Sequence, residues 1–266
     1  LALIALATIV HISGCTNRRD SKKTEVWIYT SLYRDTIQEL EPKLELAFPK
    51  LKVNFLQAPP EELAAKVNAE MLGGGTKADL VISSDRFWLE ELAQKDQLQL
   101  YIAPGAATVP AEFRNPKGFY TAVALPAVVI GYNSDITEKS HVPKTFKELA
   151  EEKWKGKVSI GSPLASSTNF TTLAMLQKRY GWEFIKSWKK NQLIAEGGNS
   201  AVMRRIQTKE RGIGIVLMDS VLRFKNDLRI RVAFPEDGII FEPSSIAIIK
   251  KSDANFDAAQ KLVDWI

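Results

Sequence analysis

This 266-residue chain has one cysteine, two histidines and no long apolar run, and each shortage excludes a class of chemistry. One cysteine forms no disulfide within the chain and builds no cysteine-rich zinc site. His11 lies in the apolar start, so His141 is the only histidine of the body. A two-histidine zinc site is therefore excluded. A histidine-based triad would rest on one residue in the loop-like EKSHVPKTF, which reads as a solvated loop. The stretch LALIALATIV at 1–10 has half of the about 20 residues that a bilayer-spanning helix needs. Glycine-rich phosphate fingerprints are also missing. Gly212-Ile213-Gly214 lacks the rest of a dinucleotide motif. Gly73-Gly74-Gly75 follows a helical pattern and reads as its C-cap. No internal repeat or low-complexity block is visible.

The net charge of +5 is unevenly placed. Arg18, Arg19, Lys22 and Lys23 against Asp20 put +3 next to Cys15 and leave +2 for the body. The basic balance therefore does not point to nucleic acid. It suits a segment held at a membrane surface. Residues 1–10 have the length of a signal-peptide apolar region, and Ile12-Ser13-Gly14-Cys15 resembles a bacterial lipobox. The expectation is a signal peptide at 1–14, then a tether at 15–24 anchored through a lipidated Cys15. A diacylated cysteine supplies the two chains that stable anchoring requires. The chain is expected to begin inside a longer leader and to stop within its last helical pattern.

With 45% hydrophobic and 25% charged residues, the remainder can bury a large core. EVWIYTS (25–31), LKVNFLQ (51–57) and ADLVISS (78–84) read as buried strands. Between them, Ile37, Leu40, Leu44 and Phe48 recur at helical spacing. PPEELAAKVNAEML has Pro and Glu at its start and glycines at its end, as a helix should. DRFWLEELAQKDQL is a third helix. The alternation predicts βαβ units and a parallel sheet with helices on both faces. Further along, strands are expected at 125–133, 157–163, 213–220, 228–235 and 238–251. Helices are expected at 145–156, 166–181, 182–191, 200–212 and 255–266.

Four loops after predicted strands carry small polar residues. They are Thr30-Ser31-Leu32-Tyr33-Arg34, Ser83-Ser84-Asp85-Arg86, Ser166-Ser167-Thr168-Asn169 and Met218-Asp219-Ser220. In open α/β sheets ligands bind beyond the carboxyl ends of the strands. Hydroxyls at a helix start, beside free N–H groups, suit an anion, although helix capping alone uses the same residues. Arg34 is the candidate cation for a phosphate or carboxylate.

The order VWIYTS, ADLVISSD, IGSPLASSTNFTTLAML, GIGIVLMDS and PSSIAIIKKSDANFDAAQKLVDWI resembles the solute-binding proteins of ABC importers. The closest branch is that of the ferric-iron-binding proteins and their non-iron relatives. The resemblance implies an α/β two-lobe periplasmic-binding-protein fold of type II, with two crossing hinge strands and the ligand between the lobes. Lobe 1 would comprise 25–125 plus 236–266, and lobe 2 would comprise 126–235. It implies a binding protein without catalytic turnover or cofactor, working with a membrane permease, at the cell envelope, as a monomer. The ligand-binding residues would be Thr30, Ser31, Tyr33, Arg34, Ser84, Asp85, Ser166, Ser167, Thr168, Asn169, Asp219 and Ser220. Iron-binding members present adjacent tyrosines where Met218, Asp219 and Ser220 stand. The expected partner is therefore a small anion, a phosphonate or sugar phosphate. A ferric-iron receptor using Tyr33 and Asp219 is the alternative. A hydrolase of phosphorylated compounds is disfavoured by the missing metal-ligand cluster. A signalling receptor would carry the same signature.

Overall fold

The fold places two sets of strand ends against each other, in a computed structural model that describes residues 23–164, 166–251 and 255–266. The expected leader and the lipidation at Cys15 lie outside the described residues. Strand β1 (Thr24–Thr30), helix α1 (Arg34–Ala47), β2 (Leu51–Gln57), α2 (Pro60–Leu72), β3 (Leu80–Ser83), α3 (Arg86–Gln94) and β4 (Leu98–Gln99) follow in order. Then come β5 (Tyr120–Ala124), β6 (Ala127–Asn133), β7 (Val158–Ile160), α4 (Ser167–Lys190), β8 (Ile194–Ala195), α5 (Asn199–Gln207) and β9 (Ile213–Leu217). Last are α6 (Met218–Leu222), β10 (Ile230–Ala233), β11 (Ile240–Phe241), β12 (Ser244–Ile249) and α7 (Phe256–Trp265).

Local chemistry sets several boundaries. Pro60 opens α2 with Glu61 and Glu62 in its first turn, where the missing N–H and the negative charges both suit a helix start. The two expected helices of 166–191 run end to end as α4, with a change of direction at Gly181, whose φ of 79° only glycine adopts without strain. The expected helix at 145–156 is instead two short 3-10 turns, Lys147–Ala150 and Glu152–Trp154.

The strands form two sheets. One runs β2-β1-β3-β12-β4, with β5 also on β12; the other runs β10-β6-β9-β7-β8, with β11 also on β6. The expectation of parallel sheets holds only in part. β1 is parallel to β2 and β3, and β7 to β8 and β9. β12 is antiparallel to its neighbours, as is β6. Those two strands enter from the opposite sheet, so they run against the strands of the βαβ units.

Each sheet is covered on both faces. In the first, Tyr29 and Val81 pack with Leu63, Val67, Trp88 and Leu89 of α2 and α3. Their alternates Ile28, Leu80 and Ile82 pack with Leu44 of α1 and Leu262 of α7. In the second, Val128, Ile130 and Ile160 pack with Leu176, Phe184 and Trp188 of α4. Val129 and Val216 meet Val202, Met203 and Ile206 of α5. The chain crosses between the sheets twice, at Leu125-Pro126 and at Glu242-Pro243. Ile240–Phe241 pairs with β6, so the return falls at the end of the stretch 235–242. The crossings run side by side: Ser244 pairs with Ala124, Phe241 with Ala127, and Glu242 N–H donates to Pro126 O at 2.9 Å.

Candidate functional site

The carboxyl ends of the parallel strands in each sheet carry the polar loops. In the first sheet, β1 and β3 end beside each other. Ser31 N–H donates to Ile82 O at 2.9 Å and Ser84 N–H to Ser31 Oγ at 3.3 Å. In the second, β7 and β9 lie parallel and adjacent, so the loops into α4 and α6 leave the same edge. Tyr33 joins the two edges. It precedes α1, and its hydroxyl shares a hydrogen bond of 3.3 Å with Ser220 Oγ on α6. Arg223 lies over the Tyr33 ring at 3.8 Å and pairs with Asp35 Oδ2 at 3.5 Å.

The electrostatics of this meeting point are mixed. Burial and then the Asp219 charge raise the Tyr33 phenol, against the Ser220 hydrogen bond and the Arg223 charge. Asp219 is also raised by burial, opposed by the Ser220 N–H and by Arg223. Ser220 N–H donates to Asp219 Oδ1 at 2.8 Å, which fixes the carboxylate at the start of α6. A phenol and a carboxyl, both oxygen donors, are thus held within electrostatic reach across the two edges.

A second cluster forms at the start of α4. Asn169 is buried, and its Nδ2 has no protein partner among the described residues. It rests on Gly161, where a Cβ would stand 2.2 Å from that nitrogen. Thr172 Oγ1 lies 2.9 Å from Thr168 O and 3.2 Å from Glu242 Oε1. Glu242 is 2% exposed, and burial pushes its carboxyl up to about 8, opposed only by Thr172.

Other expected residues have local duties. Thr30 is fully buried, and its Oγ1 accepts from Leu32 N at 3.0 Å. Asp85 caps α3 by accepting from Trp88 N at 3.0 Å. Ser166 stands before α4 without a side-chain cap bond, and the Ser167 side chain lies outside the described atoms. Arg34 is exposed on the first turn of α1. The cation at the meeting point is Arg223, which the sequence reading missed; its i, i+4 spacing from Asp219 was the available signal. Glu242 and Thr172 were missed as well. An acid alone between IIF and PSSIAII marks a buried carboxyl only once the crossing is known.

The family model described as bacterial extracellular solute-binding protein matches residues 75–266. Iron uptake protein A1 of Synechocystis is 29% identical, covering 92% of this chain and 71% of that protein. The Fe(3+)-binding periplasmic protein of Serratia marcescens is 23% identical over 81% of this chain and 66% of its own. The chain spans 62–71% of the length of the curated relatives it matches. Among solved structures, the ferric binding protein from Campylobacter jejuni superposes with a TM-score of 0.76 at 24% identity, covering 90% of this chain and 80% of that one. The periplasmic binding protein AfuA of Actinobacillus pleuropneumoniae, with fructose-6-phosphate bound, has a TM-score of 0.76 at 21% identity, covering 91% and 79%. These likenesses establish the two-lobe α/β fold with a mixed sheet in each lobe. They also correct the expected partner. Iron, a cation, is named for the Synechocystis and Serratia relatives and for the Campylobacter protein, against a sugar phosphate for AfuA.

Proposed function

The chain belongs to the bacterial extracellular solute-binding protein family, and we propose that the solute it captures is ferric iron. It is a binding protein rather than an enzyme. The observation that carries the iron reading is the meeting of Tyr33 and Asp219 across the two sheet edges. Ferric iron is a hard cation that takes anionic oxygens. The iron-named relatives support the same cargo. Met218-Asp219 replaces the adjacent tyrosines of the iron-binding pattern, so Asp219 takes over as the anionic oxygen of this segment. Two protein donors leave much of the coordination shell to oxygen ligands that arrive with the ion.

Capture works by closure of the two lobes, one on each sheet, about the crossings at Leu125-Pro126 and Glu242-Pro243, in the type II manner. Donors from both lobes make the closed form the high-affinity one. The Tyr33 proton must leave when iron binds, so the coordination step itself is favoured as pH rises. Arg223 over the ring favours the phenolate. The loaded protein hands its ion to the permease of an ABC importer, with Cys15 holding it to the membrane.

Titration with ferric citrate tests this reading. Wild type is expected to develop a visible tyrosinate-to-iron absorption band, Tyr33→Phe to lose it, and Asp219→Asn to bind about tenfold more weakly, a loss of about 1.4 kcal/mol. A band of equal strength in Tyr33→Phe, or no band in wild type, overturns it.

A further inference from the structure

Glu242 is a buried acid with no counter-charge among the described residues, placed where the chain returns from one sheet to the other. Its N–H is bound to Pro126 of the outgoing crossing, and its carboxyl faces Thr172 of α4. The three segments that meet here hold no other charged residue. None occurs from Ser167 to Gln177, from Tyr120 to Asn133, or elsewhere from Ile240 to Ile249. Their only other titratable groups are Tyr120, whose hydroxyl donates to Glu90 at 2.9 Å, and Tyr132, which packs in the second core. Among the described residues, no charged group acts on Glu242.

Thr172 offers Glu242 little compensation for its burial. A threonine hydroxyl has one proton. The shorter contact of Thr172 Oγ1, 2.9 Å, is to the carbonyl of Thr168, which can only accept. That proton is shared with Glu242 Oε1, to which the same hydroxyl donates at 3.2 Å, so the carboxyl has only a weak partner to offset its burial. Burial pushes the carboxyl up to about 8, with this hydrogen bond opposing the rise.

We infer that Glu242 is a proton-linked hinge residue, which holds the crossings in the closed arrangement as a neutral acid and favours opening once it ionises. Bending the paired crossings moves residue 242 relative to α4. That breaks the contact with Thr172 and admits water, and a hydrated carboxyl ionises in the ordinary range. The direction follows. Below the ordinary carboxylate range both forms keep the proton, and pH has no effect. From there up to about 8 the open form loses it and the closed form keeps it, so opening gains with each step in pH. Above that value the bias is constant. Thr172 and Thr168 make the same linkage bear on the start of α4, so Glu242 is a positioning residue.

The proposal rests on the hinge part of the functional reading and not on the identity of the cargo. Its test is small-angle scattering from the full chain, wild type and Glu242→Gln, at about pH 6 and about pH 9, with ferric citrate as a closure control. Gln can accept the same hydrogen bond from Thr172 through its amide oxygen but cannot ionise. The radius of gyration of wild type is expected to be larger at the higher pH, and that of Glu242→Gln to be the same at both. Melting temperatures taken alongside should favour Glu242→Gln at the higher pH only. A melting difference of this kind with an unchanging radius, while ferric citrate still contracts the protein, overturns the linkage and leaves the hinge. Equal pH responses of the two proteins overturn it also. A radius that answers to neither pH nor ferric citrate overturns both.

Discussion

At the scale of single residues, the meeting point is organised by Tyr33 and Arg223. The guanidinium over the ring joins two helices that belong to different sheets. A cation–π contact of this kind is worth about 0.5–2 kcal/mol, and the half-exposed pair with Asp35 adds little. Arg223→Ala is therefore expected to speed release of bound iron about fivefold in chelator-competition stopped flow. Its association rate should stay near wild type, because changes at one contact act mostly on the dissociation rate. The sequence made Tyr33 legible as an oxygen donor but pointed to Arg34 as its companion. Both arginines sit at helix ends. Which of them reaches the tyrosine depends on how the second sheet faces the first, and no local pattern encodes that.

At the scale of elements, two glycines let helices lie close on the second sheet. A Cβ at Gly214 of β9 would stand 2.5 Å from Val202 Cγ1 and 2.8 Å from Ile206 Cδ1 of α5. A Cβ at Gly161 would collide with Asn169 of α4. Overpacking of this kind costs about 1–3 kcal/mol. Gly214→Ala is expected to lose that much in denaturant unfolding while keeping its iron affinity, since the clash is with Val202 and Ile206 of α5 and not with α6 or Tyr33. Gly161→Ala is expected to lose both stability and affinity, because it displaces the first turn of α4. Equal affinities in the two variants would show that the start of α4 takes no part in capture. The elements themselves were legible from periodicity and from Pro and Gly signals. Strand direction was not. Apolar runs read alike in either direction, so the antiparallel entry of β6 and β12 was invisible.

At the scale of the whole molecule, two sheets with separate cores are joined by two adjacent crossings. Folding must desolvate Glu242 at their junction, so its carboxyl is harder to ionise folded than unfolded. The contribution to stability is fully present below the ordinary carboxylate range and is lost as pH rises to about 8. Wild type is accordingly expected to melt at falling temperature from about pH 5 to pH 8. The slope should be shallower in Glu242→Gln, as read by differential scanning calorimetry.

What the sequence determined by itself is the set of local and compositional facts. It held the alternation of strands and helices, the polar loops at strand ends, and the exclusion of disulfide, two-histidine zinc and nucleotide-fingerprint chemistry. Those follow from residue types and from spacings of two to four residues, which act over short range. The tertiary structure alone decided which loops face one another. It drew Tyr33, Asp35, Asp219, Ser220 and Arg223 together across nearly 190 residues of chain, and it buried Glu242 against Thr172. Those pairings depend on how two independently packed sheets are set against each other, a long-range property of the packed cores.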